Sequence, residues 1–347
     1  MDRGGASHPL VELTLARLRE ILREPEALFW AFVFPILMSV AMAAAFPSTA
    51  SKAVAVGVLQ GPEAEALRAT LASKPGLTAR TLAAVDETRA LRDGDVDLVV
   101  VPGQPPTYRF DPARQESRAA RLVVDDALKR AAGRQDPWTA HEVQLDVPGS
   151  RYVDWLIPGL IGMSILATGV WGMAFSIVQA RMRKLLIRLV ASPMRKSQYL
   201  LAQVLARMLF LLPEVAVPLL FGRFVIGMPL RGSLVAVGVI SIVGALSFGG
   251  LGLVVASRLK TFEAVSGLVN LIALPMWIAS GVFFSASRFP QVVQPFIQAL
   301  PLTALNDALR AVILEGASLP SLWGELAIMA VWGVVPFAVA LKIFRGR

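Results

Sequence analysis

WLIPGLIGMSILATGVWGMAFSIV (155–178) contains no charged residue, and QARMRKLLIRLVASPMRKS (179–197), which follows at once, is basic and free of acids. The first stretch is long enough to cross roughly 30 Å of hydrocarbon, which takes roughly 20 apolar residues. In the second, Arg181, Lys184 and Arg188 share one helical face, with Met182, Leu185, Leu186 and Leu189 opposite. That pattern predicts an amphipathic helix, which Pro193 ends or redirects. A further apolar stretch, 199–221, comes next. A basic helix held between two spans is well placed to receive force from a soluble partner.

The rest of the chain fits that setting. Of its 347 residues 55% are hydrophobic and 17% charged, with a mean hydropathy of +0.60, which is too apolar for a soluble domain. The formal charge of +9 sits mostly in short loops beside apolar stretches, as the positive-inside rule requires, so it does not argue for nucleic acid. With no cysteine, disulfides, thiolate metal sites and thiol nucleophiles are excluded.

The expected fold is a polytopic α-helical membrane protein with six transmembrane helices and a small inserted α/β domain. Residues 1–27 read as an amphipathic interface helix, 28–46 as the first span, 47–151 as the insert and 152–347 as a five-span block. Within that block the spans are 155–178, 199–221, 233–256, 264–285 and 322–341, with the connector at 179–197 and two outer helices in 288–316. Arg17, Arg19 and Arg23, the connector, Arg258 with Lys260, and Lys342 with Arg345 and Arg347 fall on one side only if both termini are cytoplasmic.

Ala43 to Ala45 imitate a signal-peptidase site, but the preceding segment is long, carries Glu12, Glu20 and Glu24, and aligns Val11, Leu15, Leu18 and Leu22. A retained span is expected, with the entry helix lying on the membrane, its apolar stripe in lipid and its arginines among headgroups. The alternative is a solvated arm. The insert, about 100 residues long, can bury a core of its own. Strands are expected at 54–59, 78–82, 97–101, 107–110 and 141–145, with helices at 63–71, 86–91 and 117–132. Its mixed charges suit an extracytoplasmic position.

No catalytic or metal-binding constellation is legible. Only His8 and His141 are present, no phosphate-cradling G-x-x-x-x-G-K-[ST] occurs, and Asp125-Asp126 on a helix reads as a solvated face. Any ATP must therefore be hydrolysed by another chain. The membrane block carries packing chemistry instead. Ser164, Thr168, Gly172 and Ser176 recur every four residues, as do Ser241, Ala245 and Gly249. Two readings fit: a helix interface lining a pathway, or static packing. Glu214 lies inside a span with Arg207 seven residues earlier on about the same face, so either an ion pair or a proton or substrate role is open. Pro213 and Pro218 should kink that helix. An intramembrane enzyme would have to use Glu214 with Asn270 or Asp307, which lie at different expected depths and form no familiar set. A scaffold working through the insert is a further alternative. In 288–320 two amphipathic helices suggest a re-entrant or interfacial lid, or a plain surface hairpin.

Taken in order, these parts resemble the permease subunits of ABC-2 type exporters that carry a large extracytoplasmic domain between the first two spans. The resemblance covers essentially the whole chain. It rests on Ile157-Pro158-Gly159, Arg188-Leu189-Val190-Ala191-Ser192-Pro193, Ser280-Gly281-Val282-Phe283-Phe284, Leu300-Pro301-Leu302-Thr303, Asp307-Ala308-Leu309-Arg310 and Gly316. It implies a protein of the bacterial cytoplasmic membrane, paired with a second permease copy and docked on two cytoplasmic ATP-binding subunits that hold ATP and Mg. It also implies a connector helix (Arg181, Arg183, Lys184, Arg188, Leu189, Pro193) that couples to them and an outer lid around Pro301, Asp307 and Arg310. A periplasmic adaptor is a further possible partner, and no cofactor is expected on this chain. One departure stands out: the family connector commonly reads Arg-Glu-Arg-Gly-Thr, whereas Arg181-Met182-Arg183-Lys184-Leu185 lacks the acid, the glycine and the threonine. The ATPase surface facing it is therefore expected to be more acidic.

Overall fold

The computed structural model describes residues 9–45, 53–136, 138, 141, 149, 151–182, 196–259 and 261–344. The chain divides into two compact units, one of residues 49–145 and one of residues 1–48 with 146–347.

In the smaller unit β1 (Val54–Leu59), α3 (Ala64–Ala72), β2 (Leu77–Leu82), α4 (Glu87–Asp93), β3 (Leu98–Val101), β4 (Thr107–Arg109) and α5 (Gln115–Ala131) follow in order; α1 and α2 belong to the other unit. The sheet order is β2-β1-β3-β4, parallel except for the last pair. Strand alternation divides the core between the two faces. Val56, Val58, Leu98 and Val100 pack with Leu71 of α3 and Val124 of α5, while Leu59, Leu82 and Val99 meet Ala90 of α4 on the other face. Gly57 has no space for a side chain, because a Cβ there would collide with Leu82. Of the expected strand at 141–145, His141 lies outside regular structure and 142–145 are outside the described residues. The Asp125-Asp126 pair is tied up in ion pairs: Asp125 with Lys129 at 2.8 Å, Asp126 with Arg130 at 2.9 Å and with Arg134.

The larger unit is helical. Helix α1 (Pro9–Leu22) stops at Arg23, short of the expected end at 27, and α2 (Phe29–Ala45) follows after a single turn at Pro25–Leu28. At 17 residues, α2 is at the lower limit for a span. Among the described residues five helices are long and apolar enough to cross a membrane. Four of them are α6 (Tyr152–Met182), α7 (Lys196–Phe221), α8 (Leu234–Arg258) and α9 (Phe262–Ala279), and the fifth is built on α12 (Trp323–Phe344). Between the last two lie α10 (Gln294–Gln298) and α11 (Pro301–Arg310), whose axes, taken as Gln291–Gln298 and Pro301–Glu315, bend by 83°. Helix α7 continues through both Pro213 and Pro218. Ser233 and Thr261 cap α8 and α9, their hydroxyls accepting from the N–H groups of Val235 and Ala264.

Two boundaries differ for identifiable reasons. Helix α9 ends at Ala279 rather than 285, because Gly281 takes a left-handed φ of 74° and the Ser280 carbonyl accepts from Asn306 at 3.0 Å. Gln179 to Met182 continue α6 instead of opening a separate connector helix. Helix α12 is far less buried than α6 and presents Val331, Val334 and Val335 outward, as a lipid-facing helix does. Helix packing is closest at glycines. A Cβ at Gly169 on α6 would lie 2.7 Å from Cβ of Phe248 on α8, and one at Gly250 on α8 would lie 2.8 Å from the Gly333 carbonyl on α12.

Candidate functional site

The small-residue ridge on α6 turns away from these tight contacts. Nothing lies within 4 Å of a Cβ built at Gly172, and at Gly249 only the Met173 side chain does, at 3.9 Å. Packing therefore falls to Gly169, Gly252 and Gly250, which the four-residue spacing did not single out. Ser164, Thr168, Gly172 and Ser176 line a cavity of about 820 Å³, within the roughly 300–1,000 Å³ usual for small-molecule sites. Most of the rest of its wall is apolar and aromatic, with Trp30, Trp171, Phe175 and Trp277 among the lining residues. Trp171 and Trp277 meet at 5.6 Å between ring centroids.

Arg207 also lines the cavity, and behind it Glu214 is fully buried. Arg207 Nη1 donates to Glu214 Oε2 at 2.6 Å, and Arg207 Nη2 donates to the Thr168 hydroxyl at 2.6 Å. Ser164 Oγ donates to Glu214 Oε1 at 2.8 Å, and Thr168 Oγ1 lies 2.7 Å from the same oxygen. The charge pair on α7 is thus completed by two hydroxyls from α6, satisfying a carboxylate that would otherwise be costly to bury. Asn270, half-buried on α9, makes no side-chain hydrogen bond among the described residues, and neither it nor Asp307 joins this network.

At one end of the cavity α1 packs along α7. Arg17 lines the cavity and pairs with Glu20 at 2.6 Å. Arg19 and Arg23 are exposed, as are Val11, Leu15 and Leu22 of the apolar stripe. Arg181 donates to the carbonyls of Ala256 and Leu259 at 3.3 and 2.7 Å, closing the C-terminal end of α8. Arg183, Lys184, Arg188, Leu189 and Pro193 lie outside the described residues.

Near the start of α6 two arginines join separate elements. Arg151 binds Asp154 through two bonds of 2.8 and 2.7 Å and donates to the Gly227 carbonyl at 2.9 Å, joining the start of α6 to the turn after α7. Arg310 of α11 stacks 3.7 Å above the centroid of the Trp155 ring, donates to the Gly281 carbonyl at 2.5 Å and lies 3.6 Å from Asp307. A Cβ at Gly159 would lie 2.9 Å from this guanidinium and from the Val282 carbonyl. Three stretches far apart in sequence, 157–159, 280–284 and 307–310, therefore converge on Arg310. Helix α11 is no surface hairpin: Pro301, Leu302, Leu305, Ala308 and Leu309 are all buried, while Asp307 remains exposed. The pairings of Arg151 with Asp154 and of Arg310 with Asp307 have the three-residue spacing of helix neighbours, but the bonds to the Gly227 and Gly281 carbonyls had no signal in spacing, since those partners belong to distant elements.

The long apolar helices, with the bent pair α10 and α11 between the last two, are the architecture of a multi-pass membrane protein. The model of the ABC-2 family transporter protein matches residues 25–342, and the chain belongs to that family. It is 24% identical to the probable multidrug ABC transporter permease YbhS of Escherichia coli K12 over 88% of each chain. It is also 26% identical over 56% of its length to ABC transporter G family member 20 of Dictyostelium discoideum, and 33% identical over 33% to Nodulation protein J of Bradyrhizobium diazoefficiens. The chain spans 27% and 43% of the length of those last two relatives. It is a multi-pass membrane permease of an ABC transporter, a family whose members work with an ABC ATP-binding subunit.

Proposed function

We propose that the chain moves a hydrophobic or amphipathic substrate outward across, or out of, the cytoplasmic membrane, driven by ATP hydrolysed on a separate subunit. The observation that carries this reading is the cavity, whose aromatic walls suit an apolar body while Ser176, Gln179 and Gln203 place polar groups on its wall. Two ATP-binding subunits dock on the 179–197 connector, with ATP and Mg on those subunits and none on this chain. Both termini are cytoplasmic, as the placement of Arg and Lys requires. The 49–145 unit is extracytoplasmic and is a surface for a periplasmic adaptor. A second permease copy, identical or similar, completes the assembly. Arg181 ties the end of α6 to the end of α8, so a push on the connector reaches two helices at once.

Inverted membrane vesicles containing the chain and its ATPase test the proposal through uptake of a fluorescent amphipathic compound. ATP-dependent, vanadate-sensitive uptake that is lost in Gly172→Trp, which fills the cavity, is the expected result. Uptake independent of ATP, or unaffected by the tryptophan, contradicts it.

A further inference from the structure

Among the described residues four charged side chains line the cavity: Arg17, Arg207, Glu24 and Glu26. Both arginines are neutralised where they stand. Arg17 pairs with Glu20 and Arg207 with Glu214, each at 2.6 Å, and neither of those carboxylates lies on the wall. The two glutamates have no such counterpart. Glu24 precedes the turn at Pro25–Leu28 without capping it, and among the described residues no ion pair or side-chain hydrogen bond holds Glu24 or Glu26. The wall is therefore left with two carboxylates that no described cation balances.

Both glutamates are exposed, which puts them at the rim. Most of the wall comes from the second half of α6 (163–179), the first half of α7 (203–210) and the second half of α8 (245–253), so the cavity lies toward the end of the bundle from which the connector leaves. The rest of the wall carries the half-buried rings of Trp171, Phe175, Phe262 and Trp277. Phe175 and Phe262 stack at 5.4 Å between centroids, beside the Trp171 and Trp277 pair. The face of such a ring carries negative potential and attracts a cation, most strongly one already stripped of water. An anion meets the wrong sign both at the rim and over the rings. A neutral body gains the apolar contact alone. Rim and rings, two independent features of one cavity, thus favour the same charge.

We propose that the cavity selects a lipophilic cation, its apolar body held among these rings and its charge balanced by Glu24 and Glu26 at the rim. The proposal rests on the permease reading above and names the substrate class of that site. Tetraphenylphosphonium and tetraphenylborate, nearly equal in shape and opposite in charge, are the probes. Binding of each is measured by equilibrium dialysis against the purified complex of the chain with its ATPase, with the uptake of empty detergent micelles subtracted. One charge about 4 Å away in water changes affinity about fivefold. Glu24→Gln combined with Glu26→Gln should therefore weaken the phosphonium about fivefold or more and tighten the borate, and added salt should shrink both shifts. Opposite shifts are the signature, since a merely damaged cavity would weaken both probes. A double variant that leaves the phosphonium unchanged, or weakens the two probes alike, overturns the cation selection. If inverted vesicles of the parent chain still show ATP-driven uptake of the fluorescent amphipathic compound, the permease reading stands without it. A parent chain that neither binds an ATPase nor drives uptake overturns both.

Discussion

Glu214 is the residue on which the membrane block depends most closely. Its carboxylate is fully buried and held by Arg207, Ser164 and Thr168, so removing the cation alone strands a charge. Arg207→Ala should lower stability by about 3–5 kcal/mol, and Arg207→Met combined with Glu214→Leu should recover most of it. Thermal unfolding in detergent checks this, and equal losses in the two variants would contradict the account. The Arg207 and Glu214 pairing was legible from their seven-residue spacing. The hydroxyl partners were not, since they depend on how α6 and α7 are rotated against each other. Outside the membrane, burial and the neighbouring Asp125 carboxylate push the Tyr108 phenol up to about 12, while the hydrogen bond from Lys129 holds Asp125 below the usual carboxylate range. A raised phenol pKa favours the folded state fully below the ordinary value of about 10, and that contribution is lost as pH rises through the folded value. Absorbance at 295 nm should therefore show a late-titrating component that Tyr108→Phe reduces; a titration unchanged by that substitution would refute the assignment.

Among the elements, α6 has two distinct faces. Gly169 meets α8 and Gly172 meets open cavity. Gly169→Ala should destabilise by about 1–3 kcal/mol through overpacking, while Gly172→Ala should be close to neutral. Matching shifts in unfolding midpoint for the two variants would show that the helix is rotated differently. Sequence periodicity located the helices because an apolar run of this length has few alternatives in a membrane. It could not separate a packing ridge from a cavity wall, because both call for small residues. Helix α11 was legible as amphipathic, but its burial was not: Asn306 and Arg310 look like surface residues until the carbonyls of Ser280 and Gly281 are brought to them. Substituting Arg310→Lys keeps the charge and loses the planar stack on Trp155, and it should loosen the junction of α6, α9 and α11. Faster proteolysis of the segment joining α9 to α11 is the expected sign, and unchanged cleavage would count against a clamping role.

For the whole molecule, the family match over residues 25–342 and the helical bundle agree on a membrane permease of an ABC transporter. Composition alone made the membrane class legible, through a mean hydropathy of +0.60 and basic loops between spans. Partner and direction are not written in the composition and were read from the order of parts, because under the proposed function the connector acts through a surface on another chain. The most direct measurement is affinity isolation of the tagged protein from its native membrane in mild detergent, with identification of the accompanying chains and an assay of ATP hydrolysis. The account predicts a Walker-type ATPase in the isolate, lost when Arg188 and Pro193 are substituted. An isolate without such a subunit, or one that keeps it after those substitutions, would contradict the central claim.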